Sequence, residues 1–219
     1  MGLYKRVLEE LSRKSREQKF ALFSAIFKPR LEDRILDIGA SGRTFPPYTF
    51  EDFYPYPEQI VGAGIALEDV KAAKRIYPRS RYVTCDGCDL PFPDKSFEIV
   101  FSNAVLEHVV GAGRQEKFAR EVMRVGKSWF VTTPNYWFPF ESHSYLLFYQ
   151  FLPLGLQRRH HQLFGKLADG RAQDIELLSA TRLQRLFPSS SIARLRVTFW
   201  PETLVAYFAR ASRVRQRFP

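Results

Sequence analysis

Two short stretches hold most of the side chains that could do chemistry. Residues 35–42 read ILDIGASG, an apolar run with an acid at Asp37, then a turn containing Gly39 and Gly42. Glycine takes backbone angles that other residues resist and lets a ligand approach the main chain. Turns at the carboxyl ends of parallel strands are where open α/β sheets bind ligands. Gly39-Ala40-Ser41-Gly42 lacks the G-x-G-x-x-G spacing that cradles a pyrophosphate, which disfavours a dinucleotide. The second stretch, TCDGCD at 84–89, holds both cysteines, Cys85 and Cys88. A structural zinc needs two further ligands, and the histidines are far away in sequence, so no metal is expected and the thiols read as reduced. The histidines are His108, His143, His160 and His161. Imidazole is the usual base near neutral pH. His143, between Glu141 and Tyr145, and His108, after Glu107, are the candidates, while His160 and His161 follow two arginines and read as a solvated basic patch.

The elements that must position these residues follow from periodicity. Residues 3–27 form an amphipathic helix with Leu8, Leu11, Leu22 and Ile26 near one stripe, stopped by Pro29. Strands are expected at 34–38, 59–65, 81–85, 97–102 and 128–133, with helices at 68–77 and 114–125. Strands separated by crossovers argue a parallel sheet. Pro46, Pro47, Pro55 and Pro57 deny a full helix after the first strand. Asn103 is placed to cap a helix starting at Ala104. Residues 136–171 are rich in aromatics and read as a lid with short helices. A helix at 179–187, with Ser179 as its N-cap, leads to strands at 192–199 and 203–209, paired as a hairpin through a tight Trp200-Pro201-Glu202 connection. The expected fold is thus a Rossmann-like, doubly wound, mostly parallel seven-stranded α/β sheet with a C-terminal antiparallel hairpin, in one domain over 1–219.

Composition narrows the class. The chain has 219 residues, 45% of them apolar, which suits one large globular domain rather than disorder. No window carries 18 unbroken apolar residues, and the N-terminal stretch is charged throughout, so a cytoplasmic protein is expected. The net charge is +10, with much of the arginine late in the chain. Such a surface can meet an anionic membrane peripherally, and no nucleic-acid motif accompanies it.

From residue 31 to about 135 the chain resembles the class I S-adenosylmethionine-dependent methyltransferases, type 11 group. ILDIGASG looks like that family's first motif, and residues 83–109 are the strongest match, with DGCDLPFPDKSFEIV at 86–100 a long and specific signature within it. The resemblance implies S-adenosylmethionine as cofactor. Its amino-acid end and ribose would lie beside Gly39, Ala40, Ser41 and Gly42, with Asp37 helping to bind the ammonium. Asp86 would accept from the adenine amino group, Gly87 and Cys88 would line the ring, and Ser102 and Asn103 would face the reacting methyl. The family usually ends its second strand with an acid for the ribose hydroxyls. Here Gly64 stands there, and Glu68 is the expected substitute. The function implied is methyl transfer to a small or lipid-linked amphipathic acceptor. Competing readings are a cofactor-binding protein without catalysis and a membrane-surface or partner-binding module.

Overall fold

The computed structural model describes residues 3–42, 49–141, 146–147, 151, 156, 175–197 and 199–210. Strands β1 (Ile35–Ile38), β2 (Ile60–Gly64), β3 (Arg81–Thr84), β4 (Ile99–Asn103) and β5 (Trp129–Pro134) pair in parallel. A hairpin of β8 (Ser191–Leu195) and β9 (Thr203–Phe208) joins through β9, antiparallel to β5. The seven strands lie in the order β3-β2-β1-β4-β5-β9-β8. The winding reverses between β1 and β4, the switch point where such sheets bind ligands. Every residue of β1 is buried, as an apolar strand covered on both faces should be.

One face is covered by α3 (Arg114–Val125), which presents Phe118, Ala119, Val122 and Val125 at helical spacing to Leu36, Ile38, Val100 and Val131. Helix α4 (Ala180–Leu186) extends this layer with Leu183 and Leu186, and the Ser179 hydroxyl caps it by accepting from the Arg182 N–H at 3.3 Å. On β2, α2 (Leu67–Ile76) buries Val70, Ala72 and Ala73. The other face is covered by α1 (Leu3–Phe27), whose Phe23 and Phe27 meet Ile35, Ile99, Phe101 and Phe130.

The rings fix the direction of α1. Phe27 lies 6.2 Å from Phe130 and Phe23 lies 5.7 Å from Phe101, centroid to centroid. One turn further back, Lys19 donates through Nζ to Asn103 Oδ1 at 3.1 Å. The helix therefore runs antiparallel to β4 and delivers its middle to the strand's carboxyl end. In place of a crossover helix after β1, two 3-10 turns, Phe50–Asp52 and Pro57–Gln59, carry the chain to β2. Phe50 stacks on Phe101 with centroids 4.0 Å apart, so this irregular segment is anchored by aromatic packing.

Two expectations are corrected. No helix begins at Ala104: that residue turns the chain with φ of 55°, its N–H bonded to Thr132 O, and only a 3-10 turn at Leu106–His108 follows. Asn103 consequently caps nothing, and its amide oxygen accepts from Lys19 and, at 2.8 Å, from Thr132 Oγ1. The last hairpin is not tightly closed, because β8 ends at Leu195 and Glu202 Oε1 accepts from the Val197 N–H across a wider loop. Within 136–171 the described residues include a two-stranded pair, β6 (Phe140–Glu141) and β7 (Leu146–Leu147), and helical positions at 151 and 156. His143, His160 and His161 lie outside the described residues.

Candidate functional site

The site is built where β1 ends. Gly39 has φ of 99°, and the N–H groups of Gly39 and Ala40 both donate to Ala63 O, at 2.8 and 3.1 Å. The Gly42 N–H donates to Asp69 O at 3.3 Å, so the turn folds over the end of β2 and onto α2. This packing needs glycine at two places. A Cβ on Gly42 would lie 2.4 Å from the Ala72 backbone, and one on Gly64 would lie 2.8 Å from both Ala40 O and Val70 Cγ2. The position where the resemblance wants an acid thus has no room for a side chain. The Glu68 carboxylate, the expected substitute, is exposed and pairs with Lys71 at 2.9 Å.

Asp37 is buried on the α1 face of the sheet, in register with Gly62 on one side and Phe101 on the other. Beside it is a residue the sequence reading missed. Glu51, buried in the first 3-10 turn, accepts from the Tyr82 hydroxyl at 2.9 Å, and the Tyr82 ring lies over Gly62. Burial, and then the negative field of Glu51, hold the Asp37 carboxyl well above its ordinary pKa. Burial followed by Glu51 likewise pushes the Tyr82 phenol up. The cluster gathers two carboxyls at low dielectric, and a cation placed beside them would favour the charged form of Asp37.

On the opposite face, the 86–88 loop reaches the end of β1: a Cβ on Gly87 would stand 2.8 Å from the Phe118 ring and 3.2 Å from Ile38 Cγ2. Asp86 accepts from the Cys88 N–H at 2.9 Å and from Arg114 Nη2 at 2.8 Å. Burial pushes this carboxyl up, but the Cys88 amide and the Arg114 guanidinium outweigh it and hold the pKa below the usual value. Both cysteines are free thiols, raised by burial and then by Asp86, so neither is poised as a thiolate. Ser102 is buried and donates to Ile38 O at 3.2 Å. A Cβ on Gly39 would lie 2.2 Å from Val105 Cγ2, so the glycine turn touches the chain leaving β4. Asp37, the 39–42 turn, Asp86, Gly87, Cys88, Ser102 and Asn103 therefore converge on one edge of the sheet.

A small, open cleft lies on this edge between α1 and β4. Its walls are Phe20, Phe50, Phe53 and Phe101, and its polar groups are Arg16, Lys19, Thr49 and Asn103. His108 closes its 3-10 turn and is not among the lining residues. Burial, then the neighbouring Arg16, lower the Lys19 ammonium to about 8, against smaller opposing contributions from Glu107 and Glu202. The sequence reading set the apolar stripe of α1 at Leu8, Leu11, Leu22 and Ile26, whereas the residues it buries are Phe23 and Phe27, with Lys19 one turn before them. Among the described residues no group of three or more His, Cys, Asp or Glu side chains is placed to hold a metal.

Residues 36–129 match the family model described as a methyltransferase domain. Over 79 residues the chain is 34% identical to ajmaline N-methyltransferase of Rauvolfia serpentina, a match spanning 33% of this chain and about a quarter (26%) of that relative. In structure the chain is similar to the YcgJ protein of Bacillus subtilis, with TM-score 0.56, 22% identity, and coverage of 82% of this chain and 71% of that one. It is also similar to magnesium protoporphyrin IX methyltransferase of Synechocystis PCC 6803, with TM-score 0.59, 12% identity, and coverage of 94% and 87%. The last structure holds bound S-adenosylhomocysteine.

Proposed function

We propose that this chain, whose residues 36–129 are a class I methyltransferase domain of the type 11 group, transfers the methyl group of S-adenosylmethionine to an amphipathic acceptor with an apolar body and a polar or anionic part. The observation that carries this reading is the convergence of Asp37, the 39–42 turn and the 86–88 loop at the switch point of the sheet. The charge at that edge suits the cofactor, since a buried carboxyl pair answers a ligand with two cationic centres, its ammonium and its sulfonium. When bound, the cofactor supplies an electrophilic methyl group. Asp37 would hold the ammonium, the 39–42 turn would run along the amino-acid end and ribose, and Asp86 would accept from the adenine amino group between Gly87 and Cys88. Asn103, its oxygen fixed by Lys19 and Thr132, would stand at the acceptor side. Aligning the acceptor atom with the methyl is the main contribution such a protein can make to an in-line displacement.

Exposed aromatic rings support an acceptor with an apolar body. Trp137, Phe199 and Trp200 are exposed next to the carboxyl end of β5, where Asn135 Nδ2 ties their two loops together by donating to Pro201 O at 2.8 Å. Rings displayed this way favour an apolar or interfacial ligand. Among the described residues no helix is long and apolar enough to cross a membrane. The test is calorimetry with S-adenosylhomocysteine on the wild type and on Asp86→Ala. The substitution should weaken binding by about 1–3 kcal/mol, as removal of a buried hydrogen-bond partner does. Wild-type protein giving no heat and no melting shift at millimolar ligand would refute the reading.

A further inference from the structure

We propose that Lys19 is the proton acceptor for a phenol-type acceptor whose ring lies in the cleft between α1 and β4. This inference rests on the methyltransferase reading and names the chemistry of the acceptor within it.

The geometry carries it. Helix α1 is threaded antiparallel to β4 by Phe27 and Phe23, so that Lys19 arrives at Asn103, on the edge where the glycine turn and the 86–88 loop meet. Its Nζ donates to Asn103 Oδ1, which also accepts from Thr132, and among the described residues Lys19 makes no ion pair. A lysine brought into an aromatic cleft without a carboxylate in contact is an unusual investment for packing alone. The groups facing it are Arg16 from its own helix, Glu107 from the 3-10 turn after β4 and Glu202 from the loop before β9. Desolvation and Arg16 prevail over the two acids, so the amine is partly neutral near pH 8. In that state it has a lone pair to offer.

Charge and proton affinity select the acceptor. A protonated amine entering beside Lys19 and Arg16 would be repelled, whereas a phenol enters neutral and the phenolate charge that develops as its proton leaves stands next to two cations. A phenolic hydroxyl, with a pKa of about 10, lies within about two units of such a lysine. An aliphatic hydroxyl, close to water at about 15.7, lies far beyond it. Phe20, Phe50, Phe53 and Phe101 line the cleft and give an aromatic body apolar contact. In the step itself the phenolic oxygen forms a bond to the methyl carbon, the carbon–sulfur bond breaks with its electron pair kept by sulfur, and the phenolic proton passes to neutral Lys19. The resulting ammonium returns its proton to water.

Two phenols of different acidity test this on the full chain. The wild type, carrying S-adenosylhomocysteine, should bind para-nitrophenol, and Lys19→Met should weaken that binding at least about tenfold. With S-adenosylmethionine, Lys19→Arg keeps the charge but loses the titratable amine. Methylation of para-cresol, which must be deprotonated, should fall by about a hundredfold or more, as loss of a general base does. Methylation of para-nitrophenol, already ionised near neutral pH, should fall far less. The wild-type rate with para-cresol should rise with pH through about 8. Equal losses for both phenols in Lys19→Arg would assign the residue a structural or charge-anchoring role and overturn the proposal. So would a wild type that binds S-adenosylhomocysteine but neither phenol. Failure to bind S-adenosylhomocysteine would instead refute the methyltransferase reading.

Discussion

Replacing Gly64 tests whether the missing acid is a defect or a design. In Gly64→Ala the new methyl carbon would stand 2.8 Å from Ala40 O and 2.8 Å from Val70 Cγ2, well inside ordinary contact. The oxygen belongs to the backbone of the 39–42 turn, whose Ala40 N–H is bonded to Ala63 O, so it cannot simply rotate away. Moving Val70 instead disturbs the buried side of α2. Overpacking of this kind costs about 1–3 kcal/mol. For a chain of this size that lowers Tm by about 2–12 °C. Because the displaced segment is the 39–42 turn, affinity for S-adenosylhomocysteine should fall as well. Thermal melts with and without that ligand, and calorimetry, measure both. Gly64→Asp should behave like Gly64→Ala and gain nothing from its carboxylate. A Gly64→Asp protein with unchanged Tm and tighter cofactor binding would refute the reasoning, because the turn would then have yielded and the ribose acid would merely have been absent.

Two further substitutions probe the cation site and the placement of α1. The Asp37 carboxyl has a folded pKa raised above its unfolded value of 3.8, so its stabilising contribution is present when protonated and is lost as pH rises from there through the folded pKa. The wild type should therefore lose stability relative to Asp37→Asn by up to about 1.4 kcal/mol per pH unit across that window, and urea melts showing parallel pH profiles would contradict it. Phe23→Ala empties a fully buried site between Phe50, Phe101 and Phe130. It should cost about 3–5 kcal/mol by denaturant unfolding, and a loss below about 1 kcal/mol would show that α1 is not held by this ring.

Local patterns made most of the sheet legible. The buried runs at Ile35–Ile38 and Ile99–Asn103, and the 3.6-residue repeat of Phe118, Val122 and Val125, announce their elements because burial on both faces or on one stripe dictates those residue types. What escaped depends on contacts between distant segments. Ala104 carries no mark of its positive φ, which is imposed by the bond of its N–H to β5. Gly64 looked like a missing acid until the turn from β1 was seen to lie against it. Glu51 sits in a proline-rich stretch whose only local message is the absence of a helix, and its pairing with Tyr82 spans 31 residues. Lys19 is an ordinary surface residue by composition and becomes a site residue only once Phe23 and Phe27 fix the direction of α1 over β4. Lys19 differs from the other three in lying outside the matched segment. The match to the methyltransferase domain covers 36–129, which holds the residues proposed to meet the cofactor, whereas the cleft's cationic groups come from α1, outside it. A family motif can thus specify which group is transferred while leaving its destination to segments that the motif does not contain, and here α1 is the one that reaches the strand end where the transfer would occur.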